Sequence, residues 1–190
     1  MSPSFLARII RNVDTPSART LSNPLTLPTV LHIRRNHALE HATIHLLSAR
    51  HPRVSLVGRS DAAGFYLLGN VPTLSVDEAV HEALARLRAG EYALAIHPQC
   101  GTNLLTSALL ASAGSFLALA GGRQQTWRDR LDRLPMAIVT AVLGLIVAQP
   151  LGTAIQRKVT TSGDIGTLDV VSVRRLRAGH AALHRVLTRA

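Results

Sequence analysis

Two long uncharged segments constrain the fold of this chain more than any other feature. Residues 101–122 contain no charged side chain in 22 positions, and residues 134–156 contain none in 23. About 20 apolar residues are enough for a helix to cross a bilayer. Both segments are also rich in small residues, which let membrane helices pack closely. We therefore predict a transmembrane helical hairpin over residues 101–156, in preference to two buried helices of a soluble fold.

The charge of the chain indicates which partners to expect. Its formal net charge is +10, which by itself favours nucleic acid as a partner. The arginines are spread over several segments, however, and aromatic residues make up only 3% of the chain. Basic residues beside membrane spans typically contact anionic lipid head groups. We therefore predict a lipid bilayer as the partner and no nucleic acid.

The residues before the hairpin predict a small α+β domain over residues 29–100. Thr29 is expected to cap its first helix, and Ser75 with Glu78 forms a capping box for its second. The predicted order is helix, strand, strand, helix, strand, at residues 29–51, 54–57, 64–69, 75–90 and 92–96.

The two ends of the chain are predicted to lie outside that domain. Prolines and arginines among serines and threonines predict a flexible basic arm over residues 1–28. Residues 157–190 form a basic segment, in which an amphipathic helix is expected from about Leu168 to Arg189. The free cysteine favours a reducing compartment, although the loop charges do not fix the orientation. We expect an inner-membrane protein with two spans, whose α+β domain and termini are cytoplasmic.

Candidate metal ligands lie on the first predicted helix. Residues three and four apart share a helical face, so His37, Glu40 and His41 project together. Two neutral imidazoles can hold a zinc ion while the adjacent carboxylate takes a proton from zinc-bound water. This H-x-x-E-H pattern is the inverzincin signature. His45 lies partly off this face and is expected either to support the ligands or to face solvent.

A second cluster follows the third predicted strand. It contains His97 and Cys100, the only cysteine of the chain, just before the first apolar segment. Imidazole and thiolate are ligands that suit zinc. We predict that Glu40 is the catalytic base and that zinc is bound by His37, His41 and Cys100, with His97 as either a fourth metal ligand or a residue that orients the ligands. His81 is expected to be solvated, and His180 and His184 are not expected to bind metal.

The motifs resemble the YqhQ-like bacterial membrane proteins and a related numbered family of unknown function, the DUF6391 type, over residues 30–175. The resemblance is carried by H-x-x-E-H at 37–41, by H-P-x-C-G-T at 97–102, and by a third group consisting of Gln156, Thr160, Thr161 and Asp169. The YqhQ-like pattern usually has Lys, Arg and Glu where this chain has Ala42, Gln99 and Asp169. A weaker similarity to S-ribosylhomocysteine lyases, in which two histidines and a cysteine bind the metal, is chemical analogy.

Two functional hypotheses follow. In the first, the chain is a metal-dependent hydrolase acting at the membrane, whose zinc keeps one open coordination position. In the second, it is a non-catalytic scaffold or assembly subunit with a closed structural metal site or none. A membrane-protein partner or a second copy of the chain fits either hypothesis.

Overall fold

The computed structural model describes residues 23–120, 126–177 and 181–189. Most of the predicted N-terminal arm, residues 1–22, therefore lies outside the described residues, as does His180. The elements in chain order are α1 Pro28–Arg50, β1 Val57–Asp61, β2 Gly64–Leu68, α2 Thr73–Arg88, α3 Gly101–Ala120, α4 Trp127–Asp132, α5 Leu134–Ile155, β3 Asp169–Arg177 and β4 Leu183–Arg189. Short 3-10 turns lie at Pro24–Thr26 and Tyr92–Ala95, and a π-helical turn at Gln156–Thr160 follows α5.

The four strands form one antiparallel sheet in the order β1-β2-β4-β3. Successive side chains of a strand point to opposite faces, and Phe65 and Leu67 of β2 are fully buried on one of them. Val186 of β4 lies opposite Phe65 and belongs to the same core, together with Leu39 of α1 and Val80 of α2. The helices α1 and α2 thus cover one face of the sheet, and the predicted α+β class is confirmed.

The predicted C-terminal helix is wrong, because residues 169–177 and 183–189 form a β-hairpin that extends the sheet. The mixture of apolar residues and arginines here fits a period of two as well as a helical period. His184 and Val186 are fully buried, whereas Arg185 between them turns to the other face and lies 4.2 Å from the Tyr66 ring centroid. Pairing with β2 therefore decides the structure of this segment.

The predicted third strand is also wrong, since Tyr92–Ala95 is a 3-10 turn. Gly90, with a φ of 93°, ends the preceding helical segment and directs the chain across α1. The carbonyl groups of Ala95 and Ile96 then contact histidines of α1. The place beside β2 that a third strand could occupy is taken by β4.

The boundaries of the other predicted elements shift by a few residues. Helix α1 begins at Pro28, so Thr29 is not its cap, and α2 begins at Thr73 after Pro72, so the predicted capping box does not form. Proline suits the first turn of a helix because its missing N–H has no partner there. Strand β1 starts later than predicted, at Val57, and the turn after it is closed by Asp61, whose carboxylate accepts a 2.8 Å hydrogen bond from the Ala63 N–H.

Helices α3 and α5 form the predicted hairpin and are long and apolar enough to cross a membrane. Two glycines bring their backbones together. A Cβ atom would lie 2.8 Å from the Thr140 carbonyl oxygen at Gly114, and 2.7 Å from that of Leu110 at Gly144. Such close approach through small residues is typical of membrane helices. The hairpin begins directly after Cys100 and ends at the π-helical turn, so both of its ends meet the α+β unit.

Candidate metal centre

Three of the predicted ligands converge in the fold. His37 and His41 lie one turn apart on α1, and Cys100 lies just before α3. The ligand atoms of all three lie within 4.8 Å of one another. His37 Nε2 is 3.5 Å from Cys100 Sγ. The two sequence clusters, almost sixty residues apart, are therefore brought together by the fold.

Backbone carbonyl groups fix the orientation of both imidazoles. His41 Nδ1 lies 2.7 Å from the Ala95 oxygen, and His37 Nδ1 lies 3.0 Å from the Thr160 oxygen. A carbonyl oxygen only accepts hydrogen bonds, so each Nδ1 must carry the proton and donate it. In the neutral ring this leaves the lone pair of Nε2 free for a metal. A second-sphere carbonyl of this kind is usual for histidines that bind metals.

The surroundings of Cys100 favour its thiolate. Burial raises the pKa of the thiol, but the adjacent His41 side chain and the backbone N–H of Thr102 outweigh this effect, and the net pKa is lowered. Because the thiolate is the form that binds metals, the site is chemically suited to a cation.

The loop that carries Cys100 is held from three sides. The Gln156 side chain is fully buried and makes two hydrogen bonds with His97: its Oε1 accepts from the backbone N–H and its Nε2 donates to the carbonyl oxygen, both at 3.0 Å. Asn103 Nδ2 donates to the Pro98 oxygen at 2.8 Å. His45 Nε2 donates to the Ile96 oxygen at 2.8 Å.

His97 lies beside the three converging residues but is not one of them. Its ring centroid is 5.8 Å from that of His41 and 4.7 Å from that of His45. Its Nδ1 accepts a hydrogen bond from the Gln99 N–H at 3.2 Å. Burial lowers the pKa of His97 to about 4, with smaller contributions from His45 and His41, so the ring is neutral near pH 7. Its role as a fourth ligand stays a prediction.

Glu40 is buried between α1 and β1. Its Oε2 accepts a 2.7 Å hydrogen bond from the Ser60 hydroxyl, and any side chain at Gly58 would overlap its carboxyl group. Burial raises the pKa of Glu40, while the Ser60 hydrogen bond and the nearby His37 partly offset the rise. The catalytic role of Glu40 stays a prediction.

A cavity of about 820 Å³ adjoins these groups. His37, His41, Cys100 and Glu40 all border it, and so does His97. The remaining wall is largely apolar and includes Leu25, Val30, Ile33, Ile44, Leu56, Leu104 and Val159. Leu104 lies one turn inside α3. The cavity therefore joins the three converging ligands to the first turn of a predicted membrane span.

Several contributors to the site have no recognisable signature in the sequence. The carbonyl oxygens of Ala95 and Thr160 act through the backbone, which any residue provides. Gln156 and Thr160 were noted only through the resemblance, although a glutamine at the end of an apolar segment was an available signal. Among the other histidines, His81 is exposed on α2, and His184 is buried on β4 with its Nε2 3.2 Å from the Thr73 hydroxyl.

Comparison with known proteins places the chain in a family. A family profile described as a domain of unknown function, DUF6391, matches residues 32–173. An uncharacterised protein of Picosynechococcus sp. is 39% identical over 148 residues, which cover 72% of this chain and 69% of that protein. No solved structure matches the chain. Since the profile match spans about three quarters of the sequence, the chain belongs to the DUF6391 family.

Proposed function

We propose that this protein is a membrane-anchored, metal-dependent hydrolase in which His37, His41 and Cys100 bind zinc. One observation carries the proposal. Three side chains with metal-binding chemistry converge at the wall of a cavity that Glu40 also borders. A purely structural site has no need of an adjoining cavity.

The kind of donor atom favours zinc. Two imidazoles and one thiolate suit zinc better than the hard cations Mg²⁺ and Ca²⁺, which prefer oxygen. Three protein ligands would leave room for a water molecule on the metal, and zinc would supply the chemistry that lowers the pKa of that water toward 7.

Glu40 is proposed as the general base. It lies on the same face of α1 as the two histidines, and the Ser60 hydroxyl holds one carboxylate oxygen in place. Only one carboxylate oxygen is engaged by that hydroxyl, so the other remains to accept a proton from water.

The substrate is proposed to reach the site at the membrane surface. Cys100 immediately precedes α3, and the cavity extends to Leu104 in the first turn of that helix. Arg157 and Lys158, just beyond α5, are exposed and suited to anionic lipid head groups. We further propose the inner membrane as the location, with the α+β unit on the cytoplasmic side.

A second candidate function is that of a membrane scaffold with a closed structural metal site. The ring of His97, 5.8 Å from that of His41, is the observation that favours it, because a small movement would bring a fourth ligand to the metal. Four protein ligands would exclude the water on which hydrolysis depends.

Cobalt substitution separates the two candidates. Full-length protein in lipid nanodiscs is loaded with Co²⁺ and titrated with acetohydroxamate, a small bidentate ligand. If the site is open, acetohydroxamate should change the visible absorption spectrum of the bound cobalt, and the change should saturate as its concentration rises. The Glu40→Gln variant should show the same change. If the wild-type spectrum does not change but that of His97→Ala does, the site is closed and the hydrolase proposal fails.

A further inference from the structure

The free edge of β1 borders the cavity beside the metal centre. Val57, Gly58, Arg59 and Ser60 all line it. Strand side chains alternate between two faces, so four consecutive residues can line one space only when that space runs along the edge of the strand. The sheet order places β1 at an edge, and no other strand within residues 23–120, 126–177 and 181–189 pairs with it there.

The opposite edge of the sheet, formed by β3, differs from this one. The β3 register shifts between Val170 and Ser172 and again between Arg175 and Arg177. Such irregularities and clustered charges are the usual means of preventing a further strand from pairing. By contrast, β1 pairs with β2 in continuous register from Val57 to Asp61 and contains one arginine. The protection found at one edge is therefore missing from the edge beside the metal centre.

The part of the cavity that lies between the free edge of β1 and α1 has a defined length, and the Glu40 carboxyl group lies on one side of it. At one end, Asn36 Nδ2 donates to the Asp61 carbonyl oxygen at 2.9 Å, so the accessible edge runs from Val57 to Ser60. Gly58 has no side chain, which lets the Glu40 carboxyl approach the backbone of β1. A chain lying along this edge would therefore pass Glu40.

Charge and apolarity indicate the composition of that chain. Arg59 is exposed and has no acidic partner among the described residues, whereas Asp61 is already paired with Arg185 at 2.8 Å. Arg34, also at the cavity, directs its hydrogen bonds to the carbonyl oxygens of Leu25, Lys158 and Thr161 and not to an acid. An acidic side chain opposite Arg59 would make a favourable cross-strand pair, and apolar side chains would suit the rest of the wall.

We propose that the substrate is an extended, mainly apolar peptide segment that adds as a strand to the free edge of β1, with an acidic residue beside Arg59. This inference rests on the proposed hydrolase function and names its substrate class. Main-chain hydrogen bonds supply affinity in this mode of recognition, and side-chain pockets supply selectivity. In the reaction, the water oxygen bonds to the peptide carbonyl carbon and the C–N bond breaks. Glu40 passes one water proton to the departing amine.

The test compares three hydroxamates on zinc-loaded, full-length protein in nanodiscs by calorimetry. The first is an acetylated Asp-Leu-Val-Leu hydroxamate, the second is the same peptide with alternate amide nitrogens methylated, and the third is dodecanoyl hydroxamate. All three carry the same metal-binding group. Loss of two main-chain hydrogen bonds predicts that methylation weakens the peptide about tenfold. Tighter binding of the dodecanoyl compound, with no effect of methylation, overturns the inference in favour of a lipid chain.

Reversing the charge of Arg59 tests separately whether an acidic residue of the peptide lies beside it. Arg59→Glu is expected to weaken the acidic peptide and to favour a version with Lys in place of Asp, while Arg175→Glu on β3 changes neither. Equal binding of the two peptides to Arg59→Glu contradicts the inference. If metal-loaded protein binds none of the hydroxamates, acetohydroxamate included, the proposed function itself fails. If acetohydroxamate binds but the peptide hydroxamates do not, the proposed function stands and only the inference about a peptide substrate fails.

Discussion

The α+β unit and the helical hairpin are packed by different means. In the unit formed by α1, α2 and the sheet, large apolar side chains such as Leu39, Phe65 and Leu87 are fully buried. In the hairpin, glycines bring the backbones of α3 and α5 together, and large side chains face outward: Leu117 is 71% exposed and Ile138 is 63% exposed. Release of apolar surface from water stabilises the first, whereas close helix packing in lipid is the expected basis of the second.

This difference matters because the candidate metal centre lies where the two regions meet. α1 contributes the histidines, while Cys100 belongs to the loop that leads into α3. Gln156, which follows α5, holds that same loop through His97. We therefore expect the candidate centre to depend on the internal stability of the α+β unit and on the attachment of both hairpin ends, but not on the packing in the middle of the hairpin.

The largest effect is expected from opening the core of the α+β unit. Phe65→Ala removes a fully buried aromatic side chain, and such truncations cost about 3–5 kcal/mol. Urea titration in detergent, followed by circular dichroism, should show early loss of the sheet signal while hairpin helicity remains. Leu74→Ala, at a residue 68% exposed, is the matched control and should be near neutral. Simultaneous loss of both signals would mean that the two regions unfold as one.

The second prediction concerns a change that disrupts the packing in the middle of the hairpin and leaves the α+β unit unaltered. Gly144→Leu forces a side chain against the Leu110 carbonyl, and overpacking of this kind costs about 1–3 kcal/mol. Thermal denaturation should show earlier loss of hairpin helicity with metal content unchanged, since the ends of the hairpin are held separately. Val142→Leu, at an outward-facing position, serves as the control. Loss of metal in Gly144→Leu alone would contradict the independence of the two regions.

The contact between the end of the hairpin and the loop that carries Cys100 is tested by Gln156→Ala. The change leaves the backbone N–H and carbonyl of His97 without their partner, and loss of second-sphere support lowers metal affinity about tenfold or more. Competition with a chelating dye measures the affinity. Gln149→Ala, two turns earlier on α5 and exposed, should bind metal like the wild type. Equal affinities in the two variants would show that the hairpin does not support the loop.

The smallest effect concerns the sheet alone and depends on pH. The hydrogen bond from Arg185 lowers the pKa of Asp61, so this pair stabilises the fold above the ordinary pKa of Asp and is lost as pH falls through the lower folded value. Because Asp61 is 42% exposed, the contribution is expected to be below about 1 kcal/mol. The difference in urea midpoint between wild type and Asp61→Asn should shrink from pH 6 to pH 3. A constant difference would contradict the pairing.

The sequence predicted those features that depend on local pattern. Uncharged runs identified the hairpin, and helical periodicity placed His37 and His41 on one face. The convergence of Cys100 with them followed from the chemistry of the residues and not from any predicted geometry. These parts required no knowledge of which distant segments pair.

The features that were missed depend on long-range pairing. Val170, Val173 and Leu176 among arginines fit a helix as well as a strand, and pairing of β3 with β4, which itself pairs with β2, decides for the strand. The contact of Glu40 with Gly58 and Ser60 likewise depends on where the sheet packs against α1. Alternation of buried His184 and Val186 with Arg185 was a usable sign of a strand.

The central claim is that two distant clusters form one metal site, and metal content tests it most directly. Protein purified in detergent is analysed by mass spectrometry as wild type, His41→Ala, Cys100→Ser, Glu40→Gln and His81→Ala. We expect about one zinc per chain in the wild type, its loss in the first two variants, and its retention in Glu40→Gln and in the exposed control His81→Ala. Absence of metal from folded wild-type protein, or its retention without Cys100, would contradict the shared site.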